Sequence, residues 1–248
     1  MGFKYLAVVV VATLAAGISL GQFSVSDRVD LRGEPDRSSA PEFLFARVQF
    51  EGSYGRRRGG WAHDYPRAEQ NLLSILAELT AVHTEPDAHT VVSLASPEIM
   101  NYPVLYFSEP GTWGLTRAEA ANFREYLARG GFAIFDDFDG AWDWQVFETN
   151  MAEVLPGRHF ELLEESDPVY QCFFSIKDLD VIVHPMGHAY PPMFFGIRDD
   201  AGRLQVVANF NNDIGDYWEW SDQDWYPIDL SNEGYKLGVN YVIYAFTH

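Results

Sequence analysis

Carboxylates crowd together in the run Asp136-Asp137-Phe138-Asp139-Gly140-Ala141-Trp142-Asp143. Adjacent acids of this kind share a proton or hold a hard cation such as Ca²⁺ or Mg²⁺. The metal-ligating candidates here are Asp136, Asp137 and Asp139. The spacing has part of a calcium loop but not the terminal glutamate of an EF-hand. The plain structural alternative is that one Asp caps the following helix and the others are solvated. Acid–base chemistry at this turn would draw on Asp136 or Asp137 with His63 or Glu109 as the second group.

A second stretch, Asn209 to Asp229, interleaves Asp213, Asp216, Glu219, Asp222, Asp224 and Asp229 with Trp218, Trp220 and Trp225. Aromatic platforms edged by carboxylates suit sugar stacking or a cationic partner, and they suit protein docking equally well. The binding candidates are Trp61, Asp64, Asn211, Asp213, Asp216, Trp218, Trp220 and Trp225. His184 and His188 have the i, i+4 spacing of a metal pair, but Pro185 and Gly187 between them argue for a loop. Arg56-Arg57-Arg58 is the one basic cluster, either an exposed loop or a site for lipid headgroups. Cys172, the single cysteine, sits among aromatics and reads as a small buried hydrophobe.

Alternating strands and helices must position these groups. Phe43 to Phe50, Val91 to Leu94, Val104 to Phe107, Phe132 to Phe135 and Leu204 to Asn209 have the apolar, β-branched and aromatic content of buried strands. Asp64 is expected to cap a helix that has Pro66 in its first turn and carries Leu72, Leu73, Leu76 and Leu79 on one face. Thr116-Arg-Ala-Glu119 has the form of a capping box, opening a helix that closes at Gly130-Gly131. Further helices are expected over Trp144 to Leu155 and Tyr235 to Phe246. This alternation implies an α/β domain with a mainly parallel sheet covered on both faces.

Of 248 residues, 36 are acidic and 17 basic, so the formal charge of −19 argues against a phosphate-gripping, nucleic-acid-binding surface. One cysteine excludes an internal disulfide framework. Tyr5 to Ser26 carries no charge and follows Lys4. It is expected to form an N-terminal hydrophobic helix that exports the chain and anchors it in the bilayer through Tyr5 to Leu20. Cleavage near Gly21, leaving a soluble periplasmic protein, is the other reading. Three segments follow from this: an anchor over 1–26, an extended tether over 27–41 and a single α/β domain over 42–248.

The motifs Trp61-Ala-His-Asp-Tyr-Pro66, Glu109-Pro-Gly111, Gly130-Gly-Phe-Ala-Ile-Phe-Asp-Asp137 and Asn211-Asn-Asp-Ile-Gly-Asp-Tyr-Trp218 occur in that order. Together they resemble a bacterial domain-of-unknown-function family, number 4159, similar in fold to class I glutamine amidotransferases. The resemblance implies a flavodoxin-like three-layer sandwich and no established activity. Amidotransferase chemistry needs a cysteine at a strand-to-helix elbow with a histidine and a carboxylate behind it. Asp136-Asp137 stands at the expected elbow instead, and no triad is recognisable.

Two functions follow as expectations. One is a non-catalytic, membrane-anchored extracytoplasmic binding or structural subunit, packed against the subunits of a respiratory, transport or photosynthetic membrane complex. The other is an exported hydrolase, or a carbohydrate- or calcium-binding protein, that uses the acidic crevice around Asp136 and Asp137.

Overall fold

The computed structural model describes residues 40–52, 60–187 and 190–248. The expected anchor, the tether as far as residue 39, Arg56 to Arg58 and His188 lie outside the described residues. Among the described residues, no helix is long and apolar enough to cross a membrane.

Seven strands form one sheet: β1 (Phe45–Gln49), β2 (His89–Ser93), β3 (Val104–Ser108), β4 (Phe132–Phe138), β5 (Glu161–Leu162), β6 (Met193–Arg198) and β7 (Leu204–Phe210). Their spatial order is β2-β1-β3-β4-β7-β6-β5. The first five in that order pair in parallel, and β6 and β5 extend the sheet antiparallel beyond β7. The helices are α1 (Arg67–Leu79), α2 (Arg117–Ala128), α3 (Gly140–Val154), α4 (Ile214–Glu219) and α5 (Ile228–Thr247).

Successive strand residues point to opposite faces, so each face of the sheet supplies one core. On one side Phe45, Val104, Tyr106, Ile134 and Val207 pack with Leu72, Leu73 and Leu76 of α1, Trp218 of α4 and Leu237 of α5. On the other, Val48, Leu105, Phe107, Phe135 and Val206 pack with Phe123 and Leu127 of α2 and with Phe147 and Met151 of α3. Each large apolar side chain withdrawn from water contributes about 1.5–3 kcal/mol. A sheet buried on both faces needs continuously apolar strands, and every residue of β3 is buried accordingly.

Local signals explain most helix boundaries. The Thr116 hydroxyl accepts from Glu119 N at 3.3 Å, while the Glu119 carboxylate accepts from Thr116 N at 2.9 Å, completing the capping box of α2. That helix stops where Gly130 adopts φ +103°, as the sequence leads one to expect.

Other boundaries differ from expectation. Helix α1 starts at Arg67 with Pro66 in the cap position, and no side chain caps it. Asp64 has φ +64°, and its carbonyl rather than its carboxylate accepts from Ala68 N, so the acid is free to turn inward. The acidic pair Asp136-Asp137 belongs to β4 itself rather than to a turn, and α3 begins at Gly140 instead of Trp144. Helix α5 begins seven residues before Tyr235, with Pro227 in its cap position, and Gly234 and Gly238 let α4 pack closely on it. A Cβ at Gly234 would lie 2.8 Å from Tyr217 Cβ, and one at Gly238 would lie 2.8 Å from the Trp218 ring.

Candidate functional site

In an open parallel sheet, ligands bind beyond the carboxyl ends of the strands where the strand order reverses. That reversal falls between β1 and β3, since β2 lies to one side of β1 and β3 to the other. The connections leaving β1, β3, β4 and β7 all open at this end. They deliver His63, Glu109 with Thr112, Asp139, and Asp213, respectively, and the end of β4 itself adds Asp137. Asp143 and Asp216 from the first turns of α3 and α4, Trp220, Trp225 and Tyr226 after α4, and His184 with Met186 complete the lining of a cleft of about 410 Å³.

Two glycines allow carboxylates to press against the backbone at its edge. A Cβ at Gly60 would overlap the Glu109 carboxyl at 1.6 Å, and one at Gly111 would meet Asp143 at 2.1 Å. Asp64, Glu109, Asp137 and Asn211 all have positive φ, a conformation unfavourable for non-glycine residues that persists only where the surroundings enforce it.

Arg47, fully buried in β1, does much of that enforcing for the first connection. Its guanidinium pairs with Glu69 of α1 and donates to the Trp61 carbonyl at 3.0 Å and to the His63 carbonyl. It also lies 4.8 Å from the centroid of the Tyr106 ring. The segment carrying His63 and Asp64 is thereby tied to the first strand of the sheet.

At the floor of the cleft His63 Nδ1 donates to Asp137 Oδ2 at 2.9 Å and lies 3.3 Å from Asp64 Oδ1. Asp137 also accepts from Ser108 Oγ at 3.3 Å. Asp213 caps α4 by accepting from Asp216 N at 3.0 Å, and Asp216 accepts from the Tyr226 hydroxyl at 2.9 Å. The Asp64 side chain is fully buried, and neither of its carboxylate oxygens has a hydrogen-bond partner.

Burial disfavours the charged form of an acid, and neighbouring acids add to that effect. Burial therefore pushes the Asp64 carboxyl up to about 8, with His63 opposing and Asp137 reinforcing the rise. Burial raises Asp213 strongly as well, helped by the charges of Asp137 and Asp64, and it raises Asp216. The hydrogen bond to Asp137 lifts His63 to about 9, so the imidazole is protonated at neutral pH.

Asp136 behaves differently from its neighbour. It is fully buried beneath the cleft and does not line it. Its oxygens accept from Tyr106 Oη at 2.8 Å, Gly215 N at 2.8 Å and Asn209 Nδ2 at 2.9 Å. Asn209 accepts in turn from Tyr241 Oη at 2.7 Å. Burial pushes Asp136 up to about 6, while these hydrogen bonds pull it back.

The profile of the family described as a domain of unknown function (DUF4159) matches residues 44–246. The chain belongs to this family. No curated protein matches it.

Within this DUF4159 domain the structure gathers some of the sequence candidates and disperses others. His63, Asp64, Glu109, Asp137, Asp139, Asp213, Asp216, Trp220 and Trp225 converge at the cleft or its floor. Trp218 does not join them: it lies in the core, its indole donating to Gly234 O at 2.9 Å, because α4 turns that side toward α5. Asn211 serves the backbone, accepting from Gly140 N at 3.1 Å and donating to Pro191 O at 3.1 Å. Trp61 packs against the core on the α2 and α3 side. Cys172 donates toward Asn240 O at 3.3 Å, beside α5, and takes no part in lining the cleft. Burial raises its thiol above the ordinary range, consistent with a packing role.

Sequence reasoning missed Arg47, Glu69 and Tyr226. Only Arg47 carried a visible signal, a lone cation inside the otherwise apolar run Phe43 to Val48.

Proposed function

We propose that this protein is an extracytoplasmic binding protein whose cleft takes a hydroxyl-rich ligand of the carbohydrate class. The observation that carries this reading is the mixed aromatic and acidic lining. Trp220 and Trp225 stack on each other with centroids 4.2 Å apart and planes within 9°, and both line the cleft together with acidic groups that include Asp137 and Asp139. The apolar face of a sugar ring packs on an indole while its hydroxyls donate to carboxylates. Trp225 is 61% exposed, so its ring is open to such contact.

Hydrolysis by the same groups has less support. Asp136 spends its oxygens on internal donors, and His63 is protonated at neutral pH, which makes it a donor and not a base. The similarity of fold to class I glutamine amidotransferases belongs to this proposal as the scaffold from which the crevice derives. Asp137 stands at the strand end with φ +61° where that chemistry would need a thiol. Anchoring through Tyr5 to Leu20 and assembly with a membrane complex belong to it too. The support for them is the uncharged leading run.

Isothermal titration against a panel of neutral and amino sugars tests the central reading. Trp225→Ala should weaken binding by about tenfold, the worth of one ring stack, while the loss of its stack on Trp220 lowers the melting temperature only slightly. A panel without any binder, or a binder indifferent to Trp225→Ala, would remove the carbohydrate reading. Deleting residues 1–26 should move the chain from the membrane to the soluble fraction.

A further inference from the structure

We propose that His63, Asp64, Asp137 and Asp213 hold a divalent first-row transition ion, of the Mn²⁺ or Zn²⁺ kind, at the floor of the cleft. One ligand atom from each of these residues lies within 4.8 Å of the others. Opposite ligands of an octahedral ion stand about 4.2 Å apart and adjacent ones about 3.0 Å apart when the bonds are near 2.1 Å. His63 Nδ1 lies 2.9 Å from Asp137 Oδ2 and 3.3 Å from Asp64 Oδ1, the spacing of adjacent ligands.

The independent sign of a ligand is Asp64. Its side chain is wholly inaccessible to solvent, and both oxygens lack a hydrogen-bond partner within the protein. A buried carboxylate without a hydrogen bond is costly, and the one cation near it, His63, is shared with Asp137. Asp64 Oδ1 faces His63 Nδ1, and the same carboxylate lies within 4.8 Å of Asp216 and Glu219 oxygens, so it stands at the centre of the acidic groups. The backbone holds it there with φ +64°, behind a loop fastened by buried Arg47.

Donor chemistry selects the ion class. Three carboxylates alone would suit Ca²⁺ or Mg²⁺, whereas an imidazole in the shell shifts preference toward Mn²⁺, Zn²⁺ and their neighbours. The ion takes the position of the proton that His63 Nδ1 now donates to Asp137, and the protons that burial favours on Asp64 and Asp213 leave to solvent as it binds. It brings two positive charges to a site whose three carboxylates face one imidazole. This inference uses the cleft of the carbohydrate reading but does not depend on a sugar.

The test uses the full-length chain, stripped with chelator and titrated separately with Mn²⁺, Zn²⁺, Ca²⁺ and Mg²⁺ by calorimetry and thermal melting. Mn²⁺ or Zn²⁺ should bind at one ion per chain and raise the melting temperature. Asp64→Asn and Asp213→Asn should each cut that affinity more than 100-fold, beyond the ~10–100-fold typical of an outer-shell partner. Asp200→Asn removes an exposed carboxylate and should leave the affinity unchanged. Circular dichroism confirms that each variant is folded. Absence of binding by all four ions to folded wild type overturns the proposal. So does a preference for Ca²⁺, or ion binding that survives Asp64→Asn. Ion binding without sugar binding would remove the carbohydrate reading alone.

Discussion

Asp136 and Asp64 are both buried near the carboxyl end of the sheet, yet the protein treats them in opposite ways. Around Asp136, the donors from Tyr106, Asn209 and Gly215 converge, and Tyr241 orients the Asn209 amide. Around Asp64, the fold supplies no hydrogen bond to either oxygen and brings further acids close instead. A hydrogen-bonded buried carboxylate knits β3, β4, β7, α4 and α5 together. One that has an imidazole nearby but no hydrogen bond is a local cost that folding alone would not favour. The contrast separates the structural half of the carboxylate cluster from the half left available for something outside the chain.

The sharpest way to break this comparison is to remove the satisfied acid. Asp136→Ala leaves the Tyr106 hydroxyl, the Asn209 amide and the Gly215 N–H without their acceptor. Three orphaned donors at ~1–2 kcal/mol each predict a loss of about 4 kcal/mol in denaturant unfolding. A loss under about 1 kcal/mol would mean that Asp136 is not a structural keystone, and the division drawn above would fail.

Arg47→Met tests the support of the other half. It strands Glu69 in the core, and losing one member of a buried ion pair costs about 3 kcal/mol or more. It also frees the carbonyls of Trp61 and His63, so the His63–Asp64 segment should become more mobile. Hydrogen exchange over residues 60–66 should then accelerate while the β4 amides stay protected to the extent that global stability allows. Unchanged exchange in that segment would show that something other than Arg47 holds Asp64 in place.

Much of the scaffold was legible in the sequence because it depends on local rules. The apolar runs marked β1, β2, β3, β4 and β7, and the capping box from Thr116 to Glu119 marked the start of α2. Strand β6 escaped notice because Met193-Phe-Phe-Gly-Ile-Arg198 alternates poorly and follows a proline-rich segment. Its place is set by β7 and by Gly196, where a Cβ would come within 2.5 Å of Leu204. The acids at the end of β4 were recognisable as a cluster, but their division of labour was not. Nothing in the pair Asp136-Asp137 says which side chain points beneath the sheet end and which into the cleft, since that follows from strand alternation and from Asn209 and Tyr106 far along the chain. Asp64 was misread because a helix cap is a local pattern, whereas its inward turn depends on Arg47 anchoring the preceding loop. Trp218 and Trp220 looked alike for the same reason: only the packing of α4 on α5 decides which ring is covered.

The smallest expected effect is the most discriminating, because its sign runs against ordinary experience with buried residues. In chelator-stripped protein at pH 5, Asp64→Asn should raise stability by about 1–2 kcal/mol, since it removes a poorly solvated acid while keeping its shape. The folded-state pKa of Asp64 lies above its ordinary value, at about 8, so between pH 4 and pH 8 the folded chain holds a proton that the unfolded chain has released. Wild-type stability from this group therefore falls as pH rises through that window and levels off above it. The advantage of the Asn variant should accordingly be absent near pH 4, grow toward pH 8 and then remain constant in parallel urea titrations. With Mn²⁺ or Zn²⁺ present the order should reverse, because the ion stabilises only the form that can bind it. An Asn variant that is less stable than wild type without metal would show that Asp64 already has a sufficient partner within the fold, and its difference from Asp136 would then carry no functional meaning.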